Sequence, residues 1–117
     1  MKMDKLSVII PARDEAENLP NCVKEIAQEL TDHKIDHEIL LIDDGSRDNT
    51  PAILEKLVEQ FPAARGIRNQ GQHGFGRAVR LGLQQFSGDA VAIMMADQSD
   101  SPKDLVKYWK ILKDGHE

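Results

Sequence analysis

Cysteine occurs once in the 117 residues, at Cys22. A single thiol excludes an internal disulfide framework and a cysteine-based zinc site, and it fits a reducing compartment. Long apolar runs are also missing. The run near the start, residues 6–10, is too short for the apolar region of a signal peptide, and a charged cluster follows it. No stretch approaches the ~18 apolar residues of a membrane span. There is no Lys/Arg tail, and 20 acidic against 15 basic residues leave a formal charge of −5. That balance argues against a general nucleic-acid binder, which needs a basic footprint. Internal repeats, linkers and low-complexity tracts are absent as well. The length suits one domain that can build a core without staples, and the reading is a soluble domain of globular composition.

The charge is unevenly spread. Residues 60–88 contain no Asp or Glu but hold Arg65, Arg68, Arg77 and Arg80, so this stretch carries +4 and the rest of the chain −9. Such a local excess could hold an anion such as phosphate; a solvated helix face and a strand end would look the same.

Four apolar runs have strand length: Leu6 to Ile10, Glu38 to Ile42, Ala64 to Ile67 and Ala90 to Met95. Continuous runs such as VII and ILLI predict strands covered on both faces, as in parallel sheets. A helical pattern follows each. Leu19, Val23, Ile26, Ala27 and Leu30 follow the first. Thr50-Pro51 reads as an N-cap followed by Pro at the first helical position, with Ile53, Leu54, Leu57, Val58 and Phe61 as the buried stripe. Ala78, Val79, Leu81 and Leu83 form the third stripe. Ser101-Pro102 opens the fourth, which carries Leu105, Val106, Trp109 and Leu112 and stops at Gly115. The expectation is an α/β fold of four βα units, a mainly parallel sheet flanked by helices through right-handed crossovers. No strand follows the fourth helix, which suggests a truncated domain. Ligands of such sheets bind beyond the carboxyl ends of the strands.

The residues at those ends carry the chemistry. After the first strand comes Pro11-Ala12-Arg13-Asp14-Glu15-Ala16-Glu17-Asn18, without the glycines a dinucleotide fold needs to bring its backbone to a pyrophosphate. The later Gly74-Phe75-Gly76 lies in the wrong unit. NAD binding is therefore disfavoured. After the second strand, Asp43-Asp44-Gly45-Ser46-Arg47-Asp48-Asn49-Thr50 places two adjacent carboxylates that need a compensating ligand, cation or set of hydrogen-bond donors. A turn with a helix cap explains part of this segment. A carboxylate here can also accept a hydrogen bond from a ligand N–H, such as the imide of uracil or the edge of guanine. After the fourth strand, Asp97 leaves an apolar run, and with Ser99 or Asp100 it offers hard oxygen ligands for Mg²⁺ or Mn²⁺. Capping of the last helix accounts for Ser101 and partly for Asp100, but not easily for Asp97. His33 and His37, four apart, lack the glutamate of a zinc motif. Cys22 reads as a small packed residue, Met94 and Met95 as strand filling, and Tyr108-Trp109 as helix packing.

Taken together, SVIIPARDEAENLP, EILLIDDGSRDNT, IRNQGQHGFGRAVRLGL and AIMMADQSDSPKDL resemble the family 2 glycosyltransferases in order and spacing, over nearly the whole chain. The branch most similar is that of the dolichyl- or polyprenyl-phosphate mannose and glucose synthases. The resemblance implies a GT-A fold, a nucleotide sugar such as a UDP- or GDP-hexose across the strand ends, and a divalent cation on its pyrophosphate. It implies nucleotide contacts at Pro11, Arg13 and Glu15, and a base contact at Ile42 and Asp44. The family's D-x-D motif falls on Met95-Ala96-Asp97, with Asp97 as the metal ligand and Ser99 at the position of a further one. Met95 departs from the pattern by replacing the first carboxylate, and Asp100 is the candidate to supply a replacement oxygen. The implied reaction is metal-assisted, inverting transfer of a hexose to a polyprenyl or dolichyl phosphate at the cytoplasmic face of a membrane. By the same resemblance, residues 1–117 form the nucleotide-sugar-binding portion, with weak binding and no complete catalysis expected of them alone. Two other readings fit parts of the sequence: a non-catalytic nucleotide-binding module, and a receiver-like signalling domain. The latter wants its acidic pair after the first strand.

Overall fold

In the computed structural model, which describes residues 3–115, strands and helices alternate. The order is β1 (Lys5–Ala12), α1 (Leu19–Asp32), β2 (Asp36–Asp43), α2 (Thr50–Gln60), β3 (Ala64–Arg68), α3 (Phe75–Gln85), β4 (Ala90–Ile93) and α4 (Pro102–Gly115). The four strands form one parallel sheet in the order β3-β2-β1-β4. All four expected βα units are present. The order also removes the receiver-like reading, because a receiver sheet places its third strand beside the first.

The two central strands explain their own sequence. Along β1, Leu6, Val8, Ile10 and Ala12 face the core formed with α1, α2 and α4, while Ile9 faces α3; along β2, Ile39 and Leu41 face the first core, and Leu40 and Ile42 the second. Every one of these side chains is buried, as a period-two strand covered on both faces requires. The edge strands are less covered: β3 and β4 each keep exposed or half-buried positions, and Ile93 is exposed.

Several local expectations shift. The fourth strand ends at Ile93; the Met94 N–H still donates to the Ile9 carbonyl at 2.9 Å, and beyond it the chain turns, with the Met95 N–H donating to the Asp100 carboxylate at 3.1 Å. Met94 still packs into the core, but Met95 lies outside the strand and is exposed. In α2, Thr50 is the first helical residue, not the cap; Asn49 at the N-cap position makes no side-chain bond, and the Asp48 carboxylate accepts from the Thr50 N–H at 2.9 Å. The Thr50 hydroxyl serves the neighbouring loops instead. On α3 the buried positions are Ala78 and Gly82, whereas Leu83 is exposed. A Cβ at Gly82 would come within 2.8 Å of Ile9 Cγ2, so this glycine lets the helix lie close on the sheet. Trp109 is buried, but Tyr108 is half exposed and its hydroxyl donates to the Val91 carbonyl at 3.0 Å, tying α4 to the edge of β4.

At the amino end of the sheet lies a buried polar cluster. Ser7 and Glu38 are register partners; the Ser7 hydroxyl donates to Glu38 Oε2 at 2.6 Å, as does the Ser87 N–H. Gly88 N–H donates to Ser7 Oγ at 2.8 Å. Burial pushes the Glu38 carboxyl up, but the hydrogen bonds from Ser7 and Ser87, with the charge of Lys5, outweigh it and hold the group below its ordinary range.

Candidate functional site

The strand order reverses at β1: β2 and β3 lie on one side, β4 on the other. At such a switch point the loops leaving neighbouring strands diverge and open a crevice. The crevice here, of about 220 Å³, is lined by Pro11, Ala12, Arg13 and Glu15 from the end of β1, Asp44 from the end of β2, Gly74 and Phe75 at the start of α3, and Met95, Ala96 and Asp97 after β4. Seven of the ten residues named from the sequence therefore meet in one place. The other three do not line it. Ile42 is fully buried against α3, so its side chain offers nothing to a ligand. Ser99 and Asp100 stand beside the crevice in the loop before α4.

The loops are held by one another. Asp14, with φ of 55°, accepts from the N–H groups of Arg47 (2.6 Å) and Asp48 (3.2 Å), and its own N–H donates to Ser46 Oγ. The Glu15 N–H donates to Thr50 Oγ1, Ala16 N–H to Asp48 Oδ2, and Asp44 N–H to the Ala12 carbonyl. The acidic run after β2 thus divides its labour. Asp43 closes its own turn by accepting from Ser46 N–H at 3.2 Å, Asp48 joins the two loops, and Asp44 faces the crevice. The Thr50 hydroxyl holds the Asp48 carboxyl below its ordinary value.

Asp44 is almost buried, with a side chain 5% exposed. Its Oδ1 accepts from Asn69 Nδ2 at 2.9 Å and lies 3.3 Å from His73 Nδ1; its Oδ2 accepts from the Gly74 N–H at 2.9 Å. These contacts supply the hydrogen-bond donors that a pair of adjacent carboxylates requires. Asn69 and His73 were not picked out by the sequence. Their only signal was a glycine-rich stretch after β3, the mark of a loop shaped to approach something closely.

Asp97 is exposed. Hydrogen bonds from the Ser99 hydroxyl and N–H hold its carboxyl below the ordinary range, so it is an anion at neutral pH. Asp100 spends one oxygen on the Met95 N–H and has the other to offer. Met95 itself carries a soft thioether, a poor ligand for a hard cation. Among the described residues no three His, Cys, Asp or Glu side chains are grouped to hold a metal by themselves. A cation that keeps its waters and shares substrate phosphates needs only one or two carboxylates, and Asp97 fits that requirement. The charge balance of the crevice also favours one: Glu15, Asp44 and Asp97 outnumber Arg13, so a pyrophosphate entering alone would be repelled. The same field is felt by Cys22, whose thiol is pushed up to about 12 by burial first, then by Glu25, Asp97, Glu15 and Asp100.

None of the four arginines between residues 60 and 88 lines the crevice. Arg65 is committed to the Gln85 carbonyl and Glu38 at the opposite end of the sheet. His33 pairs with Glu29, while His37 Nδ1 lies 2.8 Å from the Ile35 carbonyl, so the two imidazoles have separate partners.

The family model for glycosyl transferase family 2 matches residues 7–117, and the chain belongs to that family. Among curated proteins it is 35% identical to the undecaprenyl-phosphate 4-deoxy-4-formamido-L-arabinose transferase of Pseudomonas syringae pv. syringae, over 96% of this chain and 34% of that protein. The protein of the same name from Serratia proteamaculans is 34% identical, over 97% of this chain and 35% of its own length. The chain thus spans about a third of these relatives. Among solved structures, a mannosyltransferase from Pyrobaculum calidifontis in complex with GDP-Man and Mn²⁺ aligns with a TM-score of 0.80 at 23% identity, over 96% of this chain and 33% of that one. Glucosyl-3-phosphoglycerate synthase from Mycobacterium tuberculosis, with Mn²⁺, UDP and glucosyl-3-phosphoglycerate, aligns at 0.77 and 24%, over 97% and 41%. These likenesses establish the GT-A fold for the four βα units.

Proposed function

We propose that residues 1–117 form the sugar-nucleotide site of a transferase that moves a glycosyl group from a nucleoside diphosphate sugar to a polyprenyl phosphate. The observation that carries this reading is the convergence of Arg13, Asp44 and Asp97 from three strand ends into one crevice at the switch point. The names of the curated relatives support the lipid-phosphate acceptor and carry an arabinose where the sequence suggested a hexose. Asp44 accepts an N–H of the base, Pro11 and Ala12 bring the end of β1 against the nucleoside, and Arg13 meets the diphosphate. Asp97 would hold a Mg²⁺ or Mn²⁺, with Asp100 in the same loop as the candidate for a second oxygen, and the cation would offset charge on the leaving diphosphate. An oxygen of the acceptor phosphate attacks the anomeric carbon while the bond to the diphosphate breaks, which inverts that carbon. The acceptor oxygen is already anionic and needs no strong base.

Among the described residues no helix is long and apolar enough to cross a membrane. A lipid acceptor would bring the working protein to a membrane surface. Calorimetric titration of the chain with UDP-glucose and GDP-mannose, with and without Mn²⁺, tests the reading. Metal-dependent binding of at least one, reduced tenfold or more by Asp97→Asn, is expected. Metal-independent binding that Asp97→Asn leaves unchanged would refute it.

A further inference from the structure

The two loops that leave β1 and β2 are locked together by Asp14. Its neighbours Arg13 and Glu15 line the crevice, and Asp14 itself does not. Its φ of 55° lies in the left-handed region that glycine, asparagine and aspartate tolerate best. The turn made there sends three successive N–H groups to side chains of the β2–α2 loop: Asp14 to Ser46 Oγ at 3.0 Å, Glu15 to Thr50 Oγ1 at 2.9 Å and Ala16 to Asp48 Oδ2 at 3.2 Å. The Asp14 side chain answers in the opposite direction. A single oxygen, Oδ1, accepts from the N–H groups of Arg47 at 2.6 Å and Asp48 at 3.2 Å. These five bonds form a clasp, and the Asp44 N–H closes its base on the Ala12 carbonyl at 2.9 Å. Arg13 lies between base and clasp, so its backbone is held on both sides. Its side chain is exposed and makes no hydrogen bond or ion pair among the described residues.

We propose that Asp14 is a positioning residue for the diphosphate end of the crevice, because its clasp on the β2–α2 loop fixes the backbone from which Arg13 reaches a ligand. This inference rests on the sugar-nucleotide reading and adds to it a residue that touches no ligand. Ordering a long side chain on a phosphate already costs conformational entropy, and a backbone fixed beforehand adds nothing to that cost. The role is one of geometry and not of charge. Both N–H groups go to one oxygen, so an amide oxygen can take the place of the carboxylate. Asparagine also tolerates the same φ, whereas glycine keeps the turn and removes the clasp.

The test compares Asp14→Asn and Asp14→Gly with the unsubstituted chain by calorimetric titration with UDP, UMP, GDP and GMP, all with Mn²⁺. The ratio of diphosphate to monophosphate affinity reads the placement of Arg13, whichever base the chain takes. In Asp14→Gly this ratio should fall about tenfold, the worth of one hydrogen bond to a charged group. In Asp14→Asn it should stay within about twofold of the unsubstituted chain, because the acceptor is kept. A merely structural role would lower both affinities by one factor and leave the ratio alone. An unchanged ratio in a folded Asp14→Gly, or an equal fall in Asp14→Asn, would overturn the inference while the sugar-nucleotide site stood. Should Asp14→Gly fail to fold, Ser46→Ala carries the test, since it removes only the partner of the Asp14 N–H. There a fall of about threefold in the ratio is expected for one neutral hydrogen bond, and an unchanged ratio would overturn the inference. Binding of none of the four nucleotides by the unsubstituted chain would overturn the sugar-nucleotide reading, and the inference with it.

Discussion

Glu38 stands under the α3–β4 connection, far along the sheet from the crevice, and its replacement tests how that end is held. In Glu38→Gln the shape is kept and the charge removed. Two hydrogen bonds to a carboxylate oxygen, from the Ser7 hydroxyl and the Ser87 N–H, both 2.6 Å, become bonds to a neutral amide. Bonds to a charged group contribute ~1.5–3 kcal/mol and neutral ones ~0.5–1.5, so each should lose about 1 kcal/mol. Arg65, 3.6 Å from Oε1 and half exposed, adds less than ~1 kcal/mol. The expected loss is about 2 kcal/mol, or roughly 8 °C in Tm for a domain of this size.

The pH dependence gives the sharper check. The folded carboxyl titrates below its ordinary value of 4.5. Its contribution is therefore complete above the unfolded value and is lost as pH falls through the lower, folded one. Urea unfolding followed by circular dichroism at pH 7 and at pH 3 should show the gap between Glu38→Gln and the unsubstituted chain narrowing at the lower pH. A gap below ~0.5 kcal/mol at pH 7, or one undiminished at pH 3, would refute this account of the cluster. At pH 7 the nucleotide affinity of Glu38→Gln should equal that of the unsubstituted chain, since none of these residues lines the crevice.

Two further outcomes follow from the geometry. Cys22, buried and with its thiol pushed up to about 12, should react with a disulfide reagent at pH 8 no faster than the chain unfolds; rapid labelling of the folded protein would contradict its placement. Gly45→Ala puts a Cβ at φ +80° within 2.5 Å of the His73 ring, so a loss of about 1–2 kcal/mol in urea unfolding is expected; full stability would show that both the ring and the backbone have another place to go.

What the sequence revealed and what it hid divide along a physical line. Runs such as VII and ILLI were legible because residues buried on both faces are apolar whatever surrounds them, and the strand-end rule then pointed to the acidic pair after β2 and to Asp97, while Pro11 and Arg13 were named by the family resemblance. Composition misleads where a distant side chain decides. Met94-Met95 looks like strand, yet the chain turns after Ile93 and the Met95 N–H goes to the carboxylate of Asp100. Leu83 looks like core, yet the close approach at Gly82 fixes which side of α3 meets Ile9. The acidic run after β2 could not be resolved by residue type, since Asp43, Asp44 and Asp48 are chemically alike. Their roles differ only in what the fold brings to each: a turn N–H for Asp43, a neighbouring loop for Asp48, and for Asp44 the amide of a residue 25 positions further along. Asn69 and His73 were hidden for the same reason, because each acts through a partner that only the β1–β2–β3 order places beside it. The contacts that hold a site's residues in place are those least written in local sequence, and here Asn69, His73 and Gly74 brace Asp44 from beyond β3.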